Sequence, residues 1–539
     1  MSRAYLIEVC GTTMSEAPIL RDTARSKGRD ALQKNIQAAL ALAEAIRSTL
    51  GPKGLDKLLI DDDGRTLVTN DGVTVLETAK VEHPVAKMMI NASSAQDRVA
   101  KDGTTSTVIL AGEMLQNAWE LILQGIHPST IARGFRKAEQ YVLKSLEEIS
   151  LQADDAMQKT VVKTSLAGKG HSSMQETIAD ISLRAVKMIV DEGQEIIDPT
   201  KIKLISQTGG RVEESSLIQG LMLPKKRISS QMPKEIIEGK ILLIDGGLEQ
   251  RGVRGDLKLN VTDTGVLESF RQQERIMLKS QVDKLVSNGV NVLACKEGID
   301  DDIRDYLVKN DIQAFRRVSR SDLNMLARAC SATLVNSINS SSIEDVGDFK
   351  LSKNISLDGK DFWVVEAIGK AATIIAKGST VDIIGEVERC FDDSLGVSVQ
   401  LLEDSEIVCG GGASYVALAR KLRRYAETMP GREQLAVEAY ADAIEVIIRV
   451  LAENAGIDPI SSLIDVVAQQ INLNSDNIGI NLTTGKPGDM LEMGVLEPKG
   501  IIKQALIGAT EVSISILRID DVLWAKQDIE APVPPQSDM

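Results

Sequence analysis

The sequence predicts a multidomain protein of mixed class, a mainly helical domain interrupted by an inserted α/β domain. Three observations carry that prediction. Apolar stripes at i, i+3/i+4 spacing dominate both ends of the chain, and short apolar runs alternate with helical stretches in its middle. The 539 residues also exceed what one domain of roughly 100–200 residues requires. Aromatic residues are only 3% against 43% hydrophobic, so the core is expected to be built from aliphatic side chains.

In chain order, Leu32, Ile36, Ala39, Leu40, Ala43, Ile46 and Leu50 define the first amphipathic helix, with Gly51-Pro52 as its expected stop. Two β-type runs follow, Lys57–Ile60 and Thr66–Thr69, joined by Asp61-Asp62-Asp63-Gly64 as a hairpin connection. Pro84 opens a helix carrying Met88, Met89, Ala92 and Ala95, which breaks at Asp102-Gly103. Thr104 begins another, and helical patterns continue to about Ala153. Between about 217 and 370 the apolar runs Lys240–Ile244, Val290–Cys295, Gln313–Val318 and Ala332–Val335 alternate with helical stretches Leu267–Val286, Asp301–Lys309 and Arg320–Ala329. That alternation is the βαβ signal of a parallel or mixed sheet. Helices return at Tyr415–Tyr425, Gly431–Asn454 and Pro459–Ile471, and the proline-rich end Ala531–Met539 is expected to be disordered.

A formal charge of −15 argues against general binding to nucleic-acid phosphates or anionic lipid, though one local nucleotide site can oppose that field. The five cysteines (Cys10, Cys295, Cys330, Cys390, Cys409) are scattered, with no C-x-x-C pair. They suggest neither a disulfide framework nor a zinc site, and a reducing, cytoplasmic home is expected. His83, His127 and His171 are equally isolated. Tyr5–Val9 is too short for a signal core, and no run of the ~18 apolar residues of a membrane span is evident.

The chemistry concentrates in Asp102-Gly103-Thr104-Thr105-Ser106-Thr107 between two helices. A glycine turn opening onto a hydroxyl-rich helix N-terminus suits phosphate, and a carboxylate at the same turn could hold Mg²⁺ against phosphate oxygens. The same hydroxyls would serve equally as an ordinary helix cap. No P-loop is present, and Gly410-Gly411-Gly412 is no dinucleotide fingerprint. Leu50-Gly51-Pro52-Lys53-Gly54, Asn70-Asp71-Gly72 and Val408–Ala413 each read singly as turns; together with Asp102 they supply two carboxylates and three places of close backbone approach.

Those motifs, with Val81-Glu82-His83-Pro84, Gly431-Arg432-Glu433-Gln434-Leu435-Ala436, Leu451-Ala452-Glu453-Asn454-Ala455-Gly456 and Leu517-Arg518-Ile519-Asp520-Asp521, stand in the order found in group II chaperonins. The resemblance runs from about residue 20 to 527. It implies a mainly helical equatorial domain (1–149 and 409–527), a small intermediate hinge domain (150–216 and 371–408) and an inserted α/β apical domain (217–370). A helical protrusion lid is implied at about 247–282, followed at the chain end by a disordered tail, 528–539. The implied activity is ATP-driven folding of unfolded polypeptide clients by a double ring of like or unlike chaperonin subunits; the alternative is a weakly hydrolysing structural subunit of a mixed ring.

Residue by residue, the resemblance implies that Leu50, Gly51 and Pro52 line ATP, that Asp102 holds Mg²⁺, and that Gly103, Thr104, Thr105 and Ser106 cradle phosphate. Asp71 and Asp393 match the pair that orients and deprotonates the attacking water, and Lys169 matches a nucleotide-sensing lysine. Gly411, Gly412, Asn481 and Glu497 match positions near the ribose and base. The chain departs from the pattern at Lys101, usually glycine; at Ser394, usually alanine; at Ile502, usually lysine; and at Tyr415 and Ala417, where acidic residues are common. Lys101 is expected to keep ordinary φ and to reach the phosphates with its ammonium. Strain in the loop is the other possibility. Tyr415 and Ala417 are expected to alter contacts between subunits.

Overall fold

The computed structural model describes residues 23–525, apart from 61–63, 65, 80, 191–195, 249–275, 277–278, 358 and 368–370. Most of the expected lid protrusion (247–282), including Phe270 and Met277, lies outside the described residues, as do Asp61–Asp63 of the hairpin connection and the tail 528–539. The chain divides into two units, Met1–Gln152 with Glu406–Met539, and Ala153–Ser405.

The first unit is an aliphatic helical core. α1 (Gly28–Arg47) buries Leu32, Ile36, Ala39, Ala43 and Ile46, the stripe its sequence spells out. It ends before Gly51-Pro52, because the Thr49 hydroxyl takes the Ile46 carbonyl (2.8 Å) and the Asn454 amide takes that of Arg47 (3.1 Å). β2 (Lys57–Ile60) and β3 (Thr66–Thr69) pair antiparallel as a hairpin. α2 (Gly72–Thr78), α3 (Pro84–Ala100), α4 (Thr104–Leu123) and α5 (Pro128–Ile149) follow. α4 packs on α1, α3 and the helix Lys499–Leu517, and is buried on almost every side. One of the few aromatic contacts, Phe135 edge-on to Tyr440 at 5.6 Å, ties α5 to the helix Glu433–Ile444. The chain's two stretches are stitched by strands. β1 (Thr23–Lys27) pairs with β19 (Asp521–Ala525), and β15 (Glu406–Cys409) lies antiparallel between β4 (Leu151–Gln152) and β18 (Leu496–Pro498).

In the second unit, α6 (Asp155–Ser165), α7 (Ser172–Ile189) and the helix Val381–Glu403 pack together beside a small sheet. In it β14 (Ala372–Gly378) runs parallel to β5 (Ile202–Thr208) and antiparallel to β6 (Ser216–Gln219). A larger sheet has the order β10-β9-β8-β12-β13-β7, with β11 (Leu334–Val335) also beside β8. Its parallel half, β8 (Glu235–Ile244), β9 (Val290–Cys295) and β10 (Gln313–Phe315), is the expected βαβ module. Its antiparallel half, β7 (Leu221–Leu223), β12 (Gly347–Leu357) and β13 (Lys360–Ala367), is not among the expected runs. Phe315 stacks on Trp363 at 3.8 Å and closes one face, and the indole N–H donates to Ser352 Oγ.

Two of the C-terminal helical stretches gain detail in the structure. The stretch Gly431–Asn454 is two helices, Glu433–Ile444 and Val446–Asn454, divided at the buried Glu445, whose carboxylate Arg423 holds with two bonds. Lys499–Leu517 is long and apolar enough to cross a membrane by length and composition alone, although Lys503, Gln504, Thr510 and Glu511 leave it no run of ~18 apolar residues. It packs on α3, α4 and α5 as a core helix, with Ile502, Ala505, Leu506, Ala509 and Ile516 buried.

Candidate functional site

The site in the first unit is assembled at helix ends and glycine turns. Gly103 is the N-cap of α4 and brings no side-chain acceptor, so the ordinary-cap reading of Thr104-Thr105-Ser106 does not hold. Thr104 is buried, Thr105 and Ser106 are half-buried, and the Thr107 hydroxyl turns back to the Gly103 carbonyl at 3.0 Å. A helix whose first turn lacks a side-chain cap presents N–H donors and the positive end of its dipole to whatever faces it.

Asp102 stands just ahead of that turn, and its Oδ1 accepts the Gly103 N–H at 2.6 Å. It lies between two left-handed residues, Lys101 at φ 55° and Gly103 at φ 77°. The expectation of ordinary φ at Lys101 is therefore overturned, and its ammonium sits 3.6 Å from Asp97 Oδ2, one helical turn back on α3. A residue that sequence reasoning missed holds this turn. Gln96 is 1% exposed and donates from Nε2 to the carbonyls of Asp102 (2.8 Å) and Ile501 (3.3 Å).

Asp71 caps α2, its Oδ2 accepting from Thr74 N–H (2.9 Å) and Thr74 Oγ1–H (2.6 Å). Gly72 lies so close to α4 that a Cβ there would be 2.4 Å from Thr105 Oγ1. Asn70-Asp71-Gly72 and the Thr-Thr-Ser turn are thus one packed assembly, and only glycine permits the approach. Leu50 is fixed through its carbonyl, which accepts from Asn454 Nδ2 at 2.9 Å, and Gly51 at φ 81° leads into Pro52. Asn454 is a second missed residue. It belongs to the quoted Leu451–Gly456 motif but shows its role only in three dimensions.

Gly411 and Gly412 are both left-handed, and the Gly411 carbonyl accepts the Ile480 N–H at 3.0 Å, which sets β16 (Ile478–Asn481) against the glycine turn. Asn481 uses its Oδ1 on the N–H groups of Thr483 (2.9 Å) and Thr484 (3.2 Å). Glu497, on β18, borders Gly410, and burial reinforced by the Asp102 charge pushes its carboxyl up to about 7. Tyr415 is 4% exposed and Ala417 fully buried, so neither presents a surface to another subunit. Ile502 is likewise buried in the core.

Asp393 and Lys169 lie in the second unit and form an ion pair, each about one-fifth exposed. Gln175 Nε2 holds the Lys169 loop through the carbonyls of Leu166 (3.1 Å) and Lys169 (3.2 Å). Among the described residues no group of three or more His, Cys, Asp or Glu is placed to hold a metal ion. A metal at this site would therefore take Asp102 together with oxygens of its ligand, which suits Mg²⁺ held against phosphate.

Comparison with known proteins gives a consistent result. A family model for the TCP-1/cpn60 chaperonin family matches residues 42–527. A thermosome subunit of Methanocaldococcus jannaschii is 42% identical over 522 residues, 95% of this chain and 96% of the relative. The thermosome subunit beta of Archaeoglobus fulgidus is 43% identical over 516 residues, 94% of each chain, and a thermosome subunit of Methanopyrus kandleri is 42% identical over 510, 93% of each. Similarity of this extent leaves one conclusion: the chain belongs to the TCP-1/cpn60 chaperonin family.

Proposed function

We propose that the chain is a Mg²⁺-dependent, ATP-hydrolysing subunit of a double-ring group II chaperonin that folds unfolded polypeptides in the cytoplasm. The observation that carries the ATP reading is the α4 turn: no side chain caps it, Asp102 stands before it, and Gly72 packs on Thr105. The N–H groups and hydroxyls of Gly103, Thr104, Thr105 and Ser106 suit phosphate oxygens, and Asp102 is the residue to hold the cation. Mg²⁺, when bound, supplies neutralisation of phosphate charge. Leu50, Gly51 and Pro52, with Gly411, Gly412, Asn481 and Glu497, are assigned to the ribose and base.

Asp71 is assigned to orient the attacking water and Asp393 to accept its proton. Lys169, ion-paired with Asp393, is the lysine that the family resemblance assigns to sensing the nucleotide. ATP then acts by population shift, favouring whichever hinge arrangement gives it more contacts and so closing the lid over a client. The relatives are named as subunits, which supports a ring of like or unlike copies. A charge of −15 supports protein clients over nucleic acid or membrane. The left-handed Lys101 is the one observation favouring the weakly hydrolysing structural subunit, because strain there would loosen the loop.

Asp393→Ala tests the assignment. Nucleotide affinity by calorimetry should be retained while phosphate release falls by about 10²–10⁴-fold, the usual worth of a positioned base. Hydrolysis at the parent rate would reject Asp393.

A further inference from the structure

We propose that Gln96 is a positioning residue for the nucleotide's metal, acting through the Lys101–Asp102–Gly103 turn; the proposal rests on the Mg²⁺·ATP reading above. Gln96 lies on α3, buried, and its side-chain nitrogen spends both hydrogens on main-chain carbonyls, those of Asp102 and Ile501. The orientation of the amide is dictated by these partners, since a flipped side chain would set Oε1 against two carbonyl oxygens. Packing makes the same tie. A Cβ on Gly103 would lie 2.7 Å from Ile501 Cγ2 and 3.0 Å from Gln96 Nε2, so turn, amide and the first turn of the Lys499–Leu517 helix fit without slack.

The tie matters because of what the turn must do. A left-handed lysine is intrinsically unfavourable, and its side chain is ion-paired to Asp97 at 3.6 Å. With its carbonyl anchored by Gln96, Asp102 has a fixed backbone from which its carboxylate is aimed. Ile501 stands four residues past Glu497, so one amide also joins the Asp102 side of the site to the strand bearing Glu497. Gln96 touches no ligand in this account. Its effect passes through Asp102.

The test is calorimetry of a non-hydrolysable ATP analogue with Mg²⁺ and with EDTA, on the full chain and on Gln96→Met, which keeps the length and loses the donors. Affinity with Mg²⁺ should fall about tenfold, the scale of losing the bond to the Asp102 carbonyl, while affinity in EDTA stays at the parent value. Adding Lys101→Gly should recover part of the loss, because glycine holds positive φ unaided. Ser93→Ala, a buried change one turn earlier on the same helix, should leave both affinities alone. Unchanged Mg²⁺-dependent affinity, an equal loss with and without Mg²⁺, or no recovery with Lys101→Gly would each overturn the proposal. Should Gln96→Met not fold, Gln96→Asn, too short to span both carbonyls, carries the same comparison. A parent chain that binds no nucleotide under either condition rejects the Mg²⁺·ATP reading, and this inference with it.

Discussion

At the scale of single residues, Lys101 shows how a substitution can keep a motif and change its cost. Its φ of 55° belongs to the region where a Cβ crowds the following carbonyl, and glycine does not pay that penalty. Lys101→Gly should therefore stabilise the protein by about 1 kcal/mol, read as a higher urea midpoint, and should leave nucleotide binding as tight or tighter. A drop in affinity would restore the idea that the ammonium serves phosphate. Glu497 makes a second residue-level prediction. Its carboxyl titrates near 7 in the folded chain against an ordinary 4.5, so between those values the folded state holds more protons than the unfolded one. Stability from this group therefore falls as pH rises through 4.5 to about 7, and levels beyond. Glu497→Gln should match the parent below that window and exceed it above, by urea unfolding without nucleotide. Parallel profiles for the two proteins would contradict the buried carboxyl.

At the scale of elements, what the sequence revealed follows from periodicity. The α1 stripe, β2–β3, β9 and the helix Asp301–Lys309 were legible because their apolar spacing is regular and turn residues bound them. β12 is missing from the expected runs although Asp348-Phe349-Lys350-Leu351-Ser352 alternates polar with apolar, the signal of a half-buried strand; Phe349 is buried, Asp348 and Lys350 are exposed, and the strand pairs with β13. The Lys499–Leu517 helix was under-read because Lys503, Gln504, Glu511, Ser and Thr interrupt its apolar run; Thr510 donates its hydroxyl to the Leu506 carbonyl, and the Tyr440 hydroxyl bonds to Thr510 Oγ1 at 2.8 Å. The site divides in the same way. Asp102 and the Thr-Thr-Ser turn announce themselves by residue type, whereas Gln96 and Asn454 act through long-range bonds to main-chain carbonyls, spanning 405 and 404 residues, that no local pattern encodes. Ser394 departs from the family pattern, and its buried hydroxyl has no hydrogen-bond partner among the described residues; nothing in the structure explains the choice over alanine.

At the scale of the whole molecule, family membership fixes the class, and the chemistry proposed for it rests on the α4 turn. The central claim is that Asp102 recruits a divalent cation to a nucleotide at that turn. Calorimetric titration of a non-hydrolysable ATP analogue, with and without Mg²⁺, on the parent and on Asp102→Asn tests it most directly. One nucleotide should bind per chain, more tightly with Mg²⁺ in the parent, and the advantage from Mg²⁺ should disappear in the variant. Binding that ignores both the cation and the substitution, or no binding by the parent at all, would contradict it.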